Sequence, residues 1–355
     1  MNTNHAPTIG ILADDLTSAA DGAGPFVERG LAAALGRRKL PGQGAAVAAI
    51  DSGSRSATPA QAREAVARWS AALSHRAILY KTVDSTLRGH VALEMEACFA
   101  ASGRTSLVFA PAFPGAGRTT VDGIQLVDGV PVAASVYGRD PMHPARHSAL
   151  AELVPPGIRN VTLLDARTQD ELDAQVAAIP EPESCLWVGS PGLALALARR
   201  FGPAAAAPTA FDGVDTELLV VVGSANPCSH RQADQLHAAP GITLLRGPAA
   251  REGDPAAVLR RVAEEAARTF RQRRCGALIA TGGDTMEAVL ELLDIHEFDI
   301  LRELEPGFPL GRARLGDGRS FLLAMKAGGF GAEDALARAV ARIRGATQFN
   351  AKEIR

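Results

Sequence analysis

The chain has 355 residues, 47% of them apolar and 21% charged, the balance of a globular protein with an ordinary buried core, and its length suits about two domains. A formal net charge of −2 gives no electrostatic footprint for nucleic acid or an anionic membrane, and no run approaches the ~18 apolar residues that a membrane span needs. Cys98, Cys185, Cys228 and Cys275 lie far apart with no C-x-x-C pair. They read as buried thiols in a reducing compartment, not as a zinc site or a disulfide framework. The opening residues show no basic segment ahead of an apolar one, so no signal peptide is expected and the protein is placed in the cytoplasm.

Short apolar runs at 8–13, 45–50, 77–82, 106–110, 160–164 and 185–189 predict strands. Helical patterns fill much of the space between them. Thr58-Pro59-Ala60-Gln61 and Thr168-Gln169-Asp170-Glu171 read as capping boxes at helix starts. Residues 123–132 differ: Val127-Asp128-Gly129-Val130 predicts a hairpin turn projecting from the first domain. A helix at 191–200 is followed by Pro203 and an alanine tract to Pro208, which places a linker at 203–216 between domains at 1–202 and 217–355. The second domain restarts the rhythm with strands at 217–222, 242–245, 277–281 and 320–325. Strands alternating with helices imply βαβ units. The expected fold is α/β, two domains, each a largely parallel sheet flanked by helices.

Ligands of parallel α/β sheets bind at the carboxyl ends of the strands, and polar or glycine-rich clusters recur there. The first strand ends in Asp14 and Asp15. Adjacent carboxylates can hold a metal, accept a hydroxyl proton or bond a polyol; the same pair also suits a helix N-cap, with Asp15 favoured by the dipole. The second strand is followed by Arg55, a loop arginine able to grip a carboxylate through two parallel bonds. The third delivers Lys81, Asp84, Ser85, Thr86 and Arg88 within a few residues, and a lysine inside an apolar strand end needs a partner. After the fourth, prolines and glycines shape a loop that ends in Arg118. In the second domain three glycine-bearing strand ends stand out: Gly223-Ser224 with Ser229 beyond, Thr281-Gly282-Gly283-Asp284-Thr285, and Lys326-Ala327-Gly328-Gly329. Glycine admits an anion close to the backbone, helix N–H groups point at it, and a lysine adds a point charge. Three such loops in one domain indicate a phosphate or nucleotide site. No P-loop, dinucleotide fingerprint, nucleophile elbow or H-E-x-x-H motif occurs.

These segments together resemble the four-carbon acid sugar kinase family. The match runs through ADDLTSAAD from Ala13, YKTVDSTLRGH from Tyr80, APAFPGAGRTTVDGIQLVDGVPV from Ala110, GSPGLALAL from Gly189, GSANPCSHRQ from Gly223, TGGDT from Thr281, EPGFP from Glu305 and KAGGFG from Lys326. The resemblance implies an N-terminal substrate domain and a C-terminal ATP domain with an interdomain cleft, and phosphorylation of threonate-, erythronate- or 2-oxo-tetronate-type acids. The substrate side would be Asp14, Asp15, Arg55, Lys81, Asp84, Ser85 and Arg88, with Asp14, Asp15 or Asp84 as general base. The ATP side would be Ser224, Gly282, Gly283, Asp284, Thr285 and Gly328, with Ser229 and Lys326 added. Asp284, Ser229 and His90 stand where the family pattern has Glu, Thr and Asn, and the stretch between Ser224 and Thr281 is short. The partners implied are a small acid sugar and ATP with Mg²⁺, with no nucleic acid and no membrane; homo-oligomerisation stays open. A non-catalytic sugar-acid binding protein on the same scaffold is the alternative.

Overall fold

The structure, a computed structural model, describes residues 7–42, 44–140, 143–203, 211–236, 240–249 and 254–345. It divides into two compact units, Met1–Pro208 and Thr209–Arg355. Of the expected linker 203–216, residues 204–210 lie outside the described residues. Phe211 and Val214 pack against the core of the second unit, and the Val214 N–H bonds to the Ile343 carbonyl at 2.9 Å.

The first unit runs β1 (Ile9–Ala13), α1 (Leu16–Glu28), β2 (Ala33–Arg37), β3 (Val47–Asp51), α2 (Pro59–Leu73), β4 (Ile78–Thr82), α3 (Val91–Ser102) and β5 (Ser106–Ala110). It continues with the short β6 (Arg118–Val121), β7 (Ile124–Val127) and β8 (Val130–Pro131), then β9 (Val161–Leu163), α4 (Gln169–Ala178), β10 (Cys185–Gly189) and α5 (Pro191–Phe201). Within the unit the strand order is β2-β3-β1-β4-β10-β5-β9, every neighbouring pair parallel. β1, β3, β4 and β10 are buried along their whole length, as strands covered on both faces must be. The register aligns their carboxyl ends: Ala13 lies opposite Asp51, and Leu12 opposite Lys81. Loops that leave β1, β3 and β4 therefore emerge side by side.

Local chemistry explains the helix starts. Thr58 accepts from the Gln61 N–H while the Gln61 side chain accepts from the Thr58 N–H, a complete capping box. At α4 only half the box forms. Thr168 caps the Glu171 N–H, but the Glu171 carboxylate reaches back to the Arg167 N–H instead. The expected hairpin is a three-stranded antiparallel sheet, β6-β7-β8. Its two turns, Asp122-Gly123 and Asp128-Gly129, hold all four residues at positive φ, the requirement of a type I′ turn.

The second unit contains β11 (Leu218–Val222), α6 (Pro227–Asp234), β12 (Ile242–Arg246), α7 (Pro255–Gln272), β13 (Ala277–Thr281), α8 (Gly283–Leu292), β14 (Glu297–Glu305), β15 (Phe308–Arg314), β16 (Ser320–Lys326) and α9 (Ala335–Ile343). Its order is β12-β11-β13-β16-β15-β14: parallel from β12 to β16, antiparallel beyond. β2, β14 and β15 are strands that the apolar runs did not reveal. Cys98, Cys185 and Cys275 are buried as expected, whereas Cys228 is half-buried near the start of α6.

One ion pair sits inside the first unit's core. Lys81, fully buried on β4, meets Glu94 of α3 at 2.7 Å and donates to the Thr82 carbonyl at 2.7 Å. Burial opposes its charge, but Glu94 and Asp14 hold it protonated and raise its pKa. Removing one partner of such a pair strands a buried charge, which costs roughly 3–5 kcal/mol, whereas apolar replacement of both is often close to neutral. Glu94→Gln is therefore expected to lose most of that amount in urea unfolding, and Lys81→Met with Glu94→Leu to recover much of it. Equal destabilisation by the single and double variants would show that the pair's charge is not what Glu94 balances.

Candidate active site

The first group of polar residues assembles where β1, β3 and β4 end. Asp15 is the N-cap of α1, with extended backbone and Oδ1 accepting the Ser18 N–H at 2.7 Å. Both readings of the acidic pair thus meet in one place: Asp15 caps the helix and still turns Oδ2 to Arg55. Arg55 is anchored through its own N–H to the Asp14 carbonyl at 3.1 Å. Its guanidinium donates twice to Asp14, at 2.7 and 2.9 Å, once to Asp15, and once to the Ser18 hydroxyl at 3.0 Å.

Electrostatics separates the two carboxyls. Burial raises both, but at Asp14 the guanidinium of Arg55 and the ammonium of Lys81 prevail and hold it below the usual carboxylate range. At Asp15 burial, helped by repulsion from Asp14, prevails over Arg55 and pushes the carboxyl up. Asp15 is also the more open, its side chain 23% exposed against 6% for Asp14.

The loop after β4 adds the next residues. Asp84 accepts from Arg88 Nε and from the Thr86 hydroxyl, each at 2.5 Å. Its burial is overcome by Arg88 and Arg55, which lower its pKa. The turn closes with the Leu87 N–H on the Asp84 carbonyl at 2.8 Å, and buried Leu87 is held at φ 57°, a left-handed conformation that a branched side chain adopts only where its surroundings impose it. Ser85 is partly exposed beside them, and its carbonyl is clamped by Gln125 Nε2 at 2.8 Å. Arg88 reaches Asp140 at 3.3 Å. The ring of Tyr137 lies 5.3 Å from the Arg88 guanidinium and 5.7 Å from that of Arg118, whose Nη2 donates to the Tyr137 hydroxyl at 2.9 Å.

Of the seven residues expected on the substrate side, Asp14, Asp15, Arg55, Asp84, Ser85 and Arg88 gather here. Lys81, the seventh, lies beneath them with no exposed surface, bonded to Glu94, and acts on Asp14 through space. Ser18, Gln125, Tyr137 and Asp140 were not read from the sequence. Glu94 did leave a signal, an acid on the buried stripe of α3 with Val91, Met95 and Cys98.

The second group lies in the second unit, where β11, β13 and β16 end. The Ser224 N–H bonds to the Thr281 carbonyl at 3.1 Å and the Gly282 N–H to the Lys326 carbonyl at 2.9 Å, so the three turns are stitched together. Ser229 donates to the Gly328 carbonyl at 2.8 Å. A Cβ at Gly223 would overlap Thr285, and one at Gly328 would overlap Ser224; no other residue lets these backbones come so close. Gly282, at φ 94°, opens α8, whose first turn carries Gly283, exposed Asp284 and buried Thr285. Lys326 is 1% exposed and donates to the Ala327 carbonyl at 3.0 Å. Unlike Lys81, it has no salt bridge among the described residues, and burial lowers its pKa to about 8. The buried Thr281 hydroxyl beside it has no hydrogen-bond partner among the described residues. Glycine turns, helix starts and an uncompensated buried cation fit a polyphosphate. Among the described residues no group of three or more His, Cys, Asp or Glu could hold a metal ion by itself, so a divalent cation here would share its coordination with the phosphates it accompanies.

Comparison with known proteins agrees with this division of labour. Residues 9–176 match the sugar-binding N-terminal domain and residues 249–336 the nucleotide-binding C-terminal domain. A D-threonate kinase of Bordetella bronchiseptica is 32% identical over 409 aligned positions, covering 95% of this chain and 98% of that protein. Since this chain has 355 residues, at least 54 of those positions (409 − 355) face a gap in it. A 3-oxo-tetronate kinase of Methylobacterium radiotolerans is 27% identical, covering 94% and 98%. A crystal structure of a Haemophilus influenzae protein superposes with a TM-score of 0.74 at 19% identity, covering 94% of this chain and all of that one, a likeness of fold. The chain belongs to the four-carbon acid sugar kinase family.

Proposed function

We propose that this protein is an ATP-dependent kinase that phosphorylates a hydroxyl of a four-carbon acid sugar of the threonate, erythronate or oxo-tetronate type. The observation that carries the reading is Lys326: a buried ammonium without a salt bridge among the described residues, at the junction of three glycine turns, in the unit that matches a nucleotide-binding domain. A structural lysine in that position calls for a carboxylate, as Lys81 has; a donor's phosphates would supply the missing charge. Relatives named as kinases of threonate and 3-oxo-tetronate over nearly the whole chain supply the substrate class.

Magnesium-bound ATP would supply the phosphoryl group and a cation that offsets the charge of its phosphates. The chain's own work is to position and to neutralise. The first unit presents the acceptor. Asp14, locked on Arg55 and held ionised, orients it through its oxygens; Asp15, more open and with its carboxyl raised, takes the proton from the attacking hydroxyl. Two acids whose environments drive their pKa values apart suit two different tasks. In the second unit the N–H groups at the start of α8, the Thr281 hydroxyl and Lys326 would hold the phosphates, with Ser224, Ser229 and Thr285 shaping the cradle and exposed Asp284 in the first turn of α8.

ADP release measured with ATP, Mg²⁺ and a panel of four-carbon acids is expected to depend on one of the acids. ADP release independent of every acid, or none at all, would overturn the kinase reading. Asp15→Asn is expected to lower kcat by about 10²–10⁴-fold with KM for ATP unchanged; a variant that keeps near-normal turnover would remove Asp15 as the base. Lys326 gives a pH signature as well. In the free protein it loses its proton near pH 8, and bound phosphate favours the charged form. Nucleotide binding should therefore take up protons at pH 8–9 and weaken as pH rises through that range, as calorimetry in buffers of different ionisation enthalpy will show. In Lys326→Met the proton uptake should vanish and affinity should fall by about 10–100-fold. An unchanged uptake would assign the proton to another group.

A further inference from the structure

The third glycine turn of the second unit, residues 327–332, has its carbonyls taken one after another by side chains of α6. Ser229 donates to the Gly328 carbonyl at 2.8 Å. Gln232, which ends the GSANPCSHRQ segment and has no exposed surface, sends Nε2 to three carbonyls in a row: Phe330 at 2.9 Å, Gly331 at 3.1 Å and Ala332 at 2.8 Å. Cys228 Sγ lies 3.7 Å from the same Gly331 carbonyl and 3.4 Å from Gln232 Nε2. The Ala327 carbonyl is engaged within the turn, by Lys326 Nζ at 3.0 Å and the Phe330 N–H at 3.2 Å.

These carbonyls fix the direction of the N–H groups. In a planar trans peptide unit C=O and N–H point opposite ways. With the carbonyls of Gly328, Phe330 and Gly331 turned to α6, the N–H groups of Gly329, Gly331 and Ala332 turn away from it. None of the three has a hydrogen-bond partner among the described residues. N–H groups aimed outwards from a turn make an anion-binding concavity, and this turn begins at Lys326, the buried cation without a salt bridge among the described residues.

Structural support alone does not account for Gln232. Gly329, Gly331 and Ala332 are exposed, so water could serve this turn in other orientations. A buried side chain is committed to it instead, although its amide has two N–H donors for three carbonyls. Gln232 Oε1, also buried, has no partner among the described residues, which is itself unfavourable. A buried acceptor left unpaired while an exposed turn is held in one orientation indicates that the orientation serves a ligand.

We propose that Gln232 is a positioning residue for nucleotide binding: by holding three carbonyls against α6 it aims the N–H groups of Gly329, Gly331 and Ala332 at the phosphates. Its own amide stays behind the turn and touches no ligand. The proposal rests on the kinase reading for the identity of that ligand.

The test is calorimetric ATP binding with Mg²⁺, set beside steady-state turnover. Wild type is compared with Gln232→Met, which keeps the length of the side chain but donates nothing, and with Ser229→Ala, which frees one carbonyl; urea midpoints are taken for each. The dissociation constant for ATP is expected to rise about tenfold in Gln232→Met and about threefold in Ser229→Ala. KM for ATP should rise in parallel, with kcat and KM for the acid unchanged. A fall in kcat with KM and affinity for ATP unmoved, the mark of a residue that serves the fold alone, would overturn the positioning role. Should Gln232→Met not fold, Ser229→Ala decides, and unchanged ATP affinity there would overturn the role as well. Weakened ATP binding in the variants, without acid-dependent ADP release by wild type, would overturn the kinase reading alone. Acid-dependent release with ATP affinity unmoved would overturn the positioning role alone, and no ATP binding to wild type would overturn both.

Discussion

The first unit's site depends on Arg55. Its guanidinium joins two carboxylates at the end of β1 to a loop that leaves β3, and its own N–H fixes that loop to the backbone of Asp14. Without it Asp14 and Asp15 would face each other at a buried strand end, and one of them would be forced to take up a proton. With it the pair keeps charge, and the charge is divided unequally. Asp14 takes both parallel bonds and Asp15 only one, so the same cation lowers one carboxyl and leaves the other raised. The chemical difference between two neighbouring aspartates comes from how one arginine is aimed and from Lys81, which acts on Asp14.

The two buried lysines make the complementary point. Lys81 and Lys326 both sit at the carboxyl ends of parallel strands and both are almost without exposed surface. One has an acid from a packed helix at 2.7 Å and is held protonated; the other bonds only a carbonyl among the described residues, and burial lowers its pKa to about 8. Burial is the same; the partner differs. A charge whose partner is built into the fold belongs to the fold, and a charge whose partner is left out is held for something that binds.

Much of the scaffold was legible because buried parallel strands are short, apolar and bounded by turn residues. The sequence runs at 106–110, 185–189 and 277–281 match β5, β10 and β13 residue for residue. β2 escaped because Ala33-Ala34-Leu35-Gly36-Arg37 carries no β-branched or aromatic residue and follows an alanine-rich helix. β14 and β15 escaped because charged residues on one face interrupt their apolar face, and Pro309 and Gly311 stand inside β15. The site was legible as a set of strand ends but not as a set of bonds. Motif residues gather at β1, β3 and β4 because topology sends them there. That Lys81 is spent on Glu94, or that Arg88 is shared with Asp140, depends on α3 and on a segment some fifty residues away, and no spacing rule relates them.

That distinction bears on how cations in such a site should be read. From the sequence alone Arg55, Lys81 and Arg88 invite an anionic ligand, because three positive charges stand at strand ends. The structure surrounds them with Asp14, Asp15, Asp84, Glu94 and Asp140, which outnumber them. A cation attracts a ligand only by the charge left after its protein partners are counted. By that count the charge left for an anion is that of Lys326, which has no salt bridge among the described residues. What remains at the carboxylate cluster is an array of oriented acceptors, suited to polarise hydroxyl groups and to carry away a proton.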